Sequence, residues 1–281
     1  MIWYRERRDV QSLAPHLSVY LASQSALSHC LGRTNLPSPV SSATYSATNS
    51  QITFGNQQLS YDQNGNLTSD GVNTYSWNAR DQLNTITGNA LSASLQYDAL
   101  GRRTNKTVNG TPLNYLYDGA SIVKELSGTT SVADNLTDGF DRIFNRSDAT
   151  GNRVPLTDVQ GSTLSLSDSN GALETDYTYA PFGQTTSTGA SSSNSSKFVG
   201  REDDGTGLYF NRARFYSPTL QRFINEDPIG YGGGDANVYA YANNDPINLS
   251  DGLGFQSQSA AQSVTDQKNW PGAANYHGAA A

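Results

Sequence analysis

Polar and apolar positions alternate along much of this chain, and turn signatures interrupt the alternation at regular intervals. Thr74-Tyr-Ser-Trp77 and Asn114-Tyr-Leu-Tyr117 put a large ring at every second position, the period of a strand with one apolar face. Asp-x-x-Gly occurs eight times, at Asp62, Asp98, Asp148, Asp158, Asp168, Asp204, Asp227 and Asp251. In such a turn the Asp carboxylate accepts downstream backbone N–H groups, and Gly at the fourth position adopts a positive φ at little cost. The copies at 148, 158 and 168 stand ten residues apart, which leaves four residues for a turn and six for a strand. An aromatic precedes the turn residue in Tyr61-Asp62, Trp77-Asn78, Tyr97-Asp98 and Tyr117-Asp118, the last three twenty residues apart. The pattern predicts an all-β chain of antiparallel hairpins from about residue 50 to 250. Further on, residues 208–216 read as one alternating strand and residues 238–242 as a short aromatic strand.

Composition narrows this picture. Hydrophobic residues make up 36% and charged residues 15%, a polar but weakly charged mixture that suits exposed sheet better than helical bundles. The net charge of −7 carries no nucleic-acid footprint and disfavours anionic membrane. No apolar run approaches the roughly 20 residues of a membrane-spanning helix. Cys30 is the only cysteine, and His16, His29 and His277 all lie in the end segments. A His-based hydrolase or metal site inside the repeats is thereby excluded, and no cofactor is implied. Glu202, Asp203, Asp204 and Asp235 match no EF-hand spacing and read as solvated turn acids rather than a Ca²⁺ site.

Five segments follow. Residues 1–35 form an atypical leader with a basic start and a short, interrupted apolar run, a poor secretory signal. Residues 36–183 carry the hairpins, and the Ser/Thr/Gly-rich residues 184–196 read as a loop with nothing to bury. Residues 197–255 are dense in Tyr, Gly, Asp and Pro. Residues 256–281 show no periodicity and read as a disordered tail.

YDQNGNL and YDALGRR resemble YD repeats, and GLYFNRARFYSPTLQRFINEDPIG with GGDANVYAYANNDPIN and SDGLGF closely resembles the RHS-repeat-associated core. The resemblance is to the RHS/YD-repeat family of polymorphic toxins, Tc toxin C components and, more distantly, teneurins. It implies hairpins spiralling into a partial shell wall that ends in the core, within a secreted or cell-surface protein. The expected partners are the rest of such a shell or a C-terminal toxin cargo. With few repeats and a short tail, the chain reads as a truncated member or one piece of an assembly, able to self-associate through open sheet edges.

The resemblance also implies chemistry. Self-cleaving members carry an intramolecular aspartyl protease, and the match places its two carboxylates on Asp227 and Asp251 and its supporting arginine on Arg214. The cut would fall between Phe255 and Gln256. The family's Asp-Pro-x-Gly-Leu is here Asp251-Gly-Leu-Gly-Phe255, so Gly252 and Phe255 depart from it. Two carboxylates brought together resist joint ionisation, so one keeps a proton while the other activates water. Outside substrates are not expected to turn over. The alternative is an adhesion or carbohydrate-binding module with Trp77 and Tyr97 as the stacking platform, although even repeat spacing favours strand-to-strand packing for these rings. A free-standing hydrolase has only the Asp pair to recommend it.

Overall fold

The computed structural model describes residues 42–138 and 142–259; the leader, and the tail from residue 260, lie outside the described residues. The dominant element is a fourteen-stranded antiparallel sheet running from Ser60–Tyr61 to Thr185–Gly189 with every strand beside its neighbours in sequence. A three-stranded sheet, Ala43–Tyr45, Gln51–Phe54 and Gln57–Gln58, precedes it. The core follows as a four-stranded sheet of Glu202–Asp203, Tyr209–Asn211, Arg214–Ser217 and Arg222–Phe223, then a small pair, Leu249–Ser250 with Gln258–Ser259. The chain is all-β, as its turn spacing requires.

The repeated turn has one geometry. At Asp62, Asp98, Asp158 and Asp168, Oδ1 accepts the N–H groups two and four residues on, at 2.8–2.9 Å. The Gly N–H then returns to the Asp carbonyl, with Gly φ between +77° and +90°. Asn78 makes the same turn with Asp81 in the glycine position at φ +56°. A pairing irregularity accompanies the aromatic before the turn, at Tyr61, Trp77 and Tyr97.

These aromatics also clasp one repeat to the preceding one. Trp77 Nε1 donates to Leu67 O, Tyr97 Oη to Leu83 O and Tyr117 Oη to Arg103 O, each at 2.8 Å, and Tyr179 Oη to Thr163 O at 2.5 Å. Every acceptor is the first residue of the strand that leaves an earlier turn. Tyr97→Phe is expected to cost about 1 kcal/mol, because the Leu83 carbonyl loses its extra donor while the ring stays packed. Equilibrium urea unfolding measures it, and an unchanged midpoint would show the clasp to be idle.

The core packs on the wall through Leu208, Phe210, Phe215 and Ile224 against Leu67, Leu83, Ile86 and Leu95. Its opposite face forms a second cluster from Phe198, Tyr209, Tyr216, Phe223 and Tyr241. Core strands are therefore buried on both faces, and each large side chain contributes about 1.5–3 kcal/mol. Backbone bonds from Leu67 N to Ile224 O and from Thr163 N to Lys197 O join wall and core directly.

Several expectations are corrected. Residues 208–216 are two strands rather than one: Arg212 takes a positive φ of 56°, and the chain folds back to pair Asn211 with Arg214 and Tyr209 with Tyr216. Residues 238–242 make a single bridge, Ala240 with Arg222, and then enter a left-handed run over Ala242, Asn243 and Asn244. Residues 184–196 are not all loop, since Thr185–Gly189 forms the last strand of the large sheet. Its ladder and a Thr178–Thr186 hydroxyl pair at 2.6 Å need no apolar burial. The expected tail begins ordered, with Gln258–Ser259 in strand.

Asp204 is corrected most sharply. It is buried, and both its oxygens meet Arg103, with Lys106 Nζ 2.7 Å from Oδ1. Its neighbour Asp203 caps the turn instead, accepting Gly205 N at 2.9 Å. Asp203 and Glu202 are paired as well, with Lys197 and Arg212. Asp204 thus ties the core to the wall, while Asp203 and Glu202 are paired within the core.

Candidate self-cleavage site

Arg214 opens the second strand of the core hairpin, and burial holds it in one geometry. Its guanidinium lies 3.6 Å from the Phe223 ring centroid. Nε donates to Gly254 O at 2.6 Å and Nη1 to Val238 O at 3.0 Å. Nη2 then reaches both acids, Asp251 Oδ2 at 2.9 Å and Asp227 Oδ2 at 3.0 Å. The three residues that the resemblance singled out are thus brought together around one nitrogen.

Both aspartates are turn residues that keep one oxygen for the site. Asp227 Oδ1 accepts Ile229 N at 2.9 Å, and Gly230 N returns to the Asp227 carbonyl at 2.8 Å. Asp251 Oδ1 accepts Gly254 N at 2.8 Å and Phe255 N at 3.0 Å. In each, Oδ2 is the oxygen turned to Arg214. Burial pushes both carboxyls above ordinary values, more than the Arg214 charge and the N–H bonds pull them down. The Arg214 guanidinium is itself lowered, by burial first.

The expected scissile bond lies against this pair. Phe255 and Gln256 line the cleft that opens beside Arg214, Asp227 and Asp251, with Phe255 half-buried and Gln256 exposed. Asp251 holds the N–H side of this segment, while the Phe255 carbonyl oxygen and Asp227 Oδ2 both crowd Gly233. Two supports escaped sequence reasoning: the Phe223 platform and the Val238 carbonyl. Residue identity carries no signal for the second.

Trp77 and Tyr97 lie elsewhere. Both pack against the first core cluster, Tyr97 with its ring 6.3 Å from that of Phe210, and their polar atoms serve the clasps. That face of the wall is turned to the core.

The teneurin YD-shell family model matches residues 34–247. The chain belongs to this family. It is 34% identical over 218 residues to the tRNA3(Ser)-specific nuclease WapA of Bacillus spizizenii, which covers 73% of this chain and 9% of the relative. It is 28% identical over 241 residues to the double-stranded DNA deaminase toxin A of Burkholderia cenocepacia, covering 70% of this chain and 17% of that protein. The YD-shell chain therefore spans a tenth to a sixth of such relatives. Among solved structures, the Photorhabdus luminescens Tc holotoxin pore aligns over 75% of this chain and 13% of its own, with a TM-score of 0.58 and 18% identity. The TcdB2–TccC3 crystal structure without its hypervariable C-terminal region gives 0.54 over 76% of this chain and 15% of its own, at 19% identity. At these identities the likeness is one of fold.

Proposed function

We propose that this chain supplies a YD-repeat wall and its associated core to a toxin-delivering shell, and that the core cuts its own backbone once, after Phe255. Membership of the YD-shell family and relatives named as toxins and nucleases support the delivery setting. Thr185–Gly189 ends the sheet with no charge or proline, an edge suited to pairing with another chain. The observation that carries the chemistry is one buried arginine nitrogen bonded to two carboxylates that line one cleft with Phe255 and Gln256.

In this mechanism Asp227, beside the Phe255 carbonyl, holds a proton, and Asp251 is the ionised partner. Water adds to the Phe255 carbonyl carbon as Asp251 takes its proton and Asp227 protonates the oxygen. The tetrahedral adduct then collapses, the C–N bond breaks, and the Gln256 nitrogen leaves with a proton from Asp251. Asp227 regains its own proton as the new carboxyl forms. No cofactor or redox partner is required, and the reaction occurs once per chain.

The raised carboxyls set the pH dependence. One must be protonated, so the rate falls as pH rises past the elevated value, and falls again in strong acid when neither is ionised. First-order rate constants across pH, at several protein concentrations, test the reading. A rate that scales with concentration, or one that rises monotonically into alkali, would exclude an intramolecular carboxyl pair.

A further inference from the structure

We propose that Gly233 is the positioning residue for this cut, the absence of its side chain being what lets the Phe255 carbonyl lie beside Asp227. The proposal rests on the self-cleavage reading above. Gly232, Gly233 and Gly234 follow one another, and the structure separates what each position demands. Gly234 has φ +88°, a backbone reason, with open space around its missing Cβ. At Gly232 a Cβ would meet only Ile229 Cβ, at 3.8 Å, an ordinary contact. Gly233 is different: its φ is not positive, yet a Cβ would stand 2.8 Å from Asp227 Oδ2 and 2.9 Å from Phe255 O. Its demand is for space alone, and the space belongs to the carboxyl and the carbonyl of the reaction.

Neither neighbour is free to yield. Asp227 is held at Oδ1 by Ile229 N and at Oδ2 by Arg214. The Phe255 backbone is held by its N–H on Asp251 and by Gly254, where a Cβ would come 2.4 Å from Asn211 O. A methyl group at 233 therefore separates the carbonyl from the carboxyl rather than displacing a loose side-chain end. Misplacement on the scale of 1 Å costs about 100-fold in rate. The turn is otherwise tolerant, because residue 233 is partly exposed and its backbone suits alanine.

The test compares Gly233→Ala and Gly232→Ala with the natural full chain. Three readings are taken: first-order cleavage by intact mass, melting temperature, and the Asp227 titration midpoint by carboxyl ¹³C NMR. The expected result is wild-type cleavage in Gly232→Ala and about 100-fold slower cleavage in Gly233→Ala, both melting like the natural chain, with the Asp227 midpoint moved only in the latter. Equal rates in the two variants would overturn the proposal. So would failure of Gly233→Ala to fold, since the site predicts a local and not a global effect. If the natural chain itself is never cut, the protease reading fails separately. The titration then decides: a midpoint moved only in Gly233→Ala keeps the packing role, and an unmoved one removes it.

Discussion

Replacing Asp227 or Asp251 by Asn is expected to slow self-cleavage by at least about 1,000-fold, within the range that a positioned acid or base contributes. The amide matches the carboxyl in shape but neither takes a proton from water nor supplies one to the carbonyl. Asp227→Asn is the clearer of the two, because Asp251 is more deeply buried and its Oδ1 accepts two N–H groups against one at Asp227. Arg214→Ala should be as inactive for another reason: it leaves two buried carboxylates without their shared donor, and the 254–255 segment without the Nε bond to Gly254 O. Arg214→Lys should recover little, since a lysine cannot reach Gly254, Val238 and both acids from one planar group. Retained cutting in Asp227→Asn would mean that the pair only shapes turns.

The second large effect lies in the attachment of core to wall. Asp204→Ala is expected to destabilise the protein by about 3–5 kcal/mol, because it strands Arg103, which is fully buried on the wall. Truncating Asp134, whose pair with Lys124 is exposed, should leave the melting curve unchanged. Burial raises the Asp204 carboxyl, but Arg103 and Lys106 outweigh it and hold it below its ordinary value. Its stabilising contribution is therefore present above the ordinary carboxylate range and is lost as pH falls through the depressed value. Urea midpoints for natural and variant chains, from neutral to acid pH, check both statements. Equal sensitivity at Asp204 and Asp134 would contradict them.

The hairpin wall was legible because its signal is local. An Asp or Asn, a downstream N–H and a left-handed residue make the turn at Asp62, Asn78 and Asp98 whatever surrounds them. The core was less so, because its strands are buried on both faces and burial erases alternation: Tyr209 and Phe210 point to different clusters, yet both are large and aromatic. The fold-back at Arg212 was hidden because a charged residue takes a glycine's conformation there. Thr185–Gly189 was hidden because polar side chains form a ladder without an apolar stripe. Asp204 shows that the same motif can give up its turn, with both oxygens on a buried arginine, as tertiary position decides. The candidate triad came from resemblance and not from spacing, since Arg214 and Asp251 lie 37 residues apart. Gly233 carried no chemistry in sequence at all; only the Phe255 carbonyl beside it gives its missing side chain a meaning.

The most direct measurement is the intact mass of purified full-length protein, incubated from mildly acidic to neutral pH. It should be run beside Asp227→Asn and the double variant Gly252→Pro with Phe255→Leu. A Cβ at position 252 would make only an ordinary contact, 3.7 Å from Arg201 Nε, and the double variant is expected to cut at least as fast as the natural chain. The expected masses are those of residues 1–255 and of a peptide beginning Gln256-Ser257-Gln258, absent from Asp227→Asn. A single full-length mass at every pH, in both the folded natural chain and the folded double variant, would contradict a self-cleaving core.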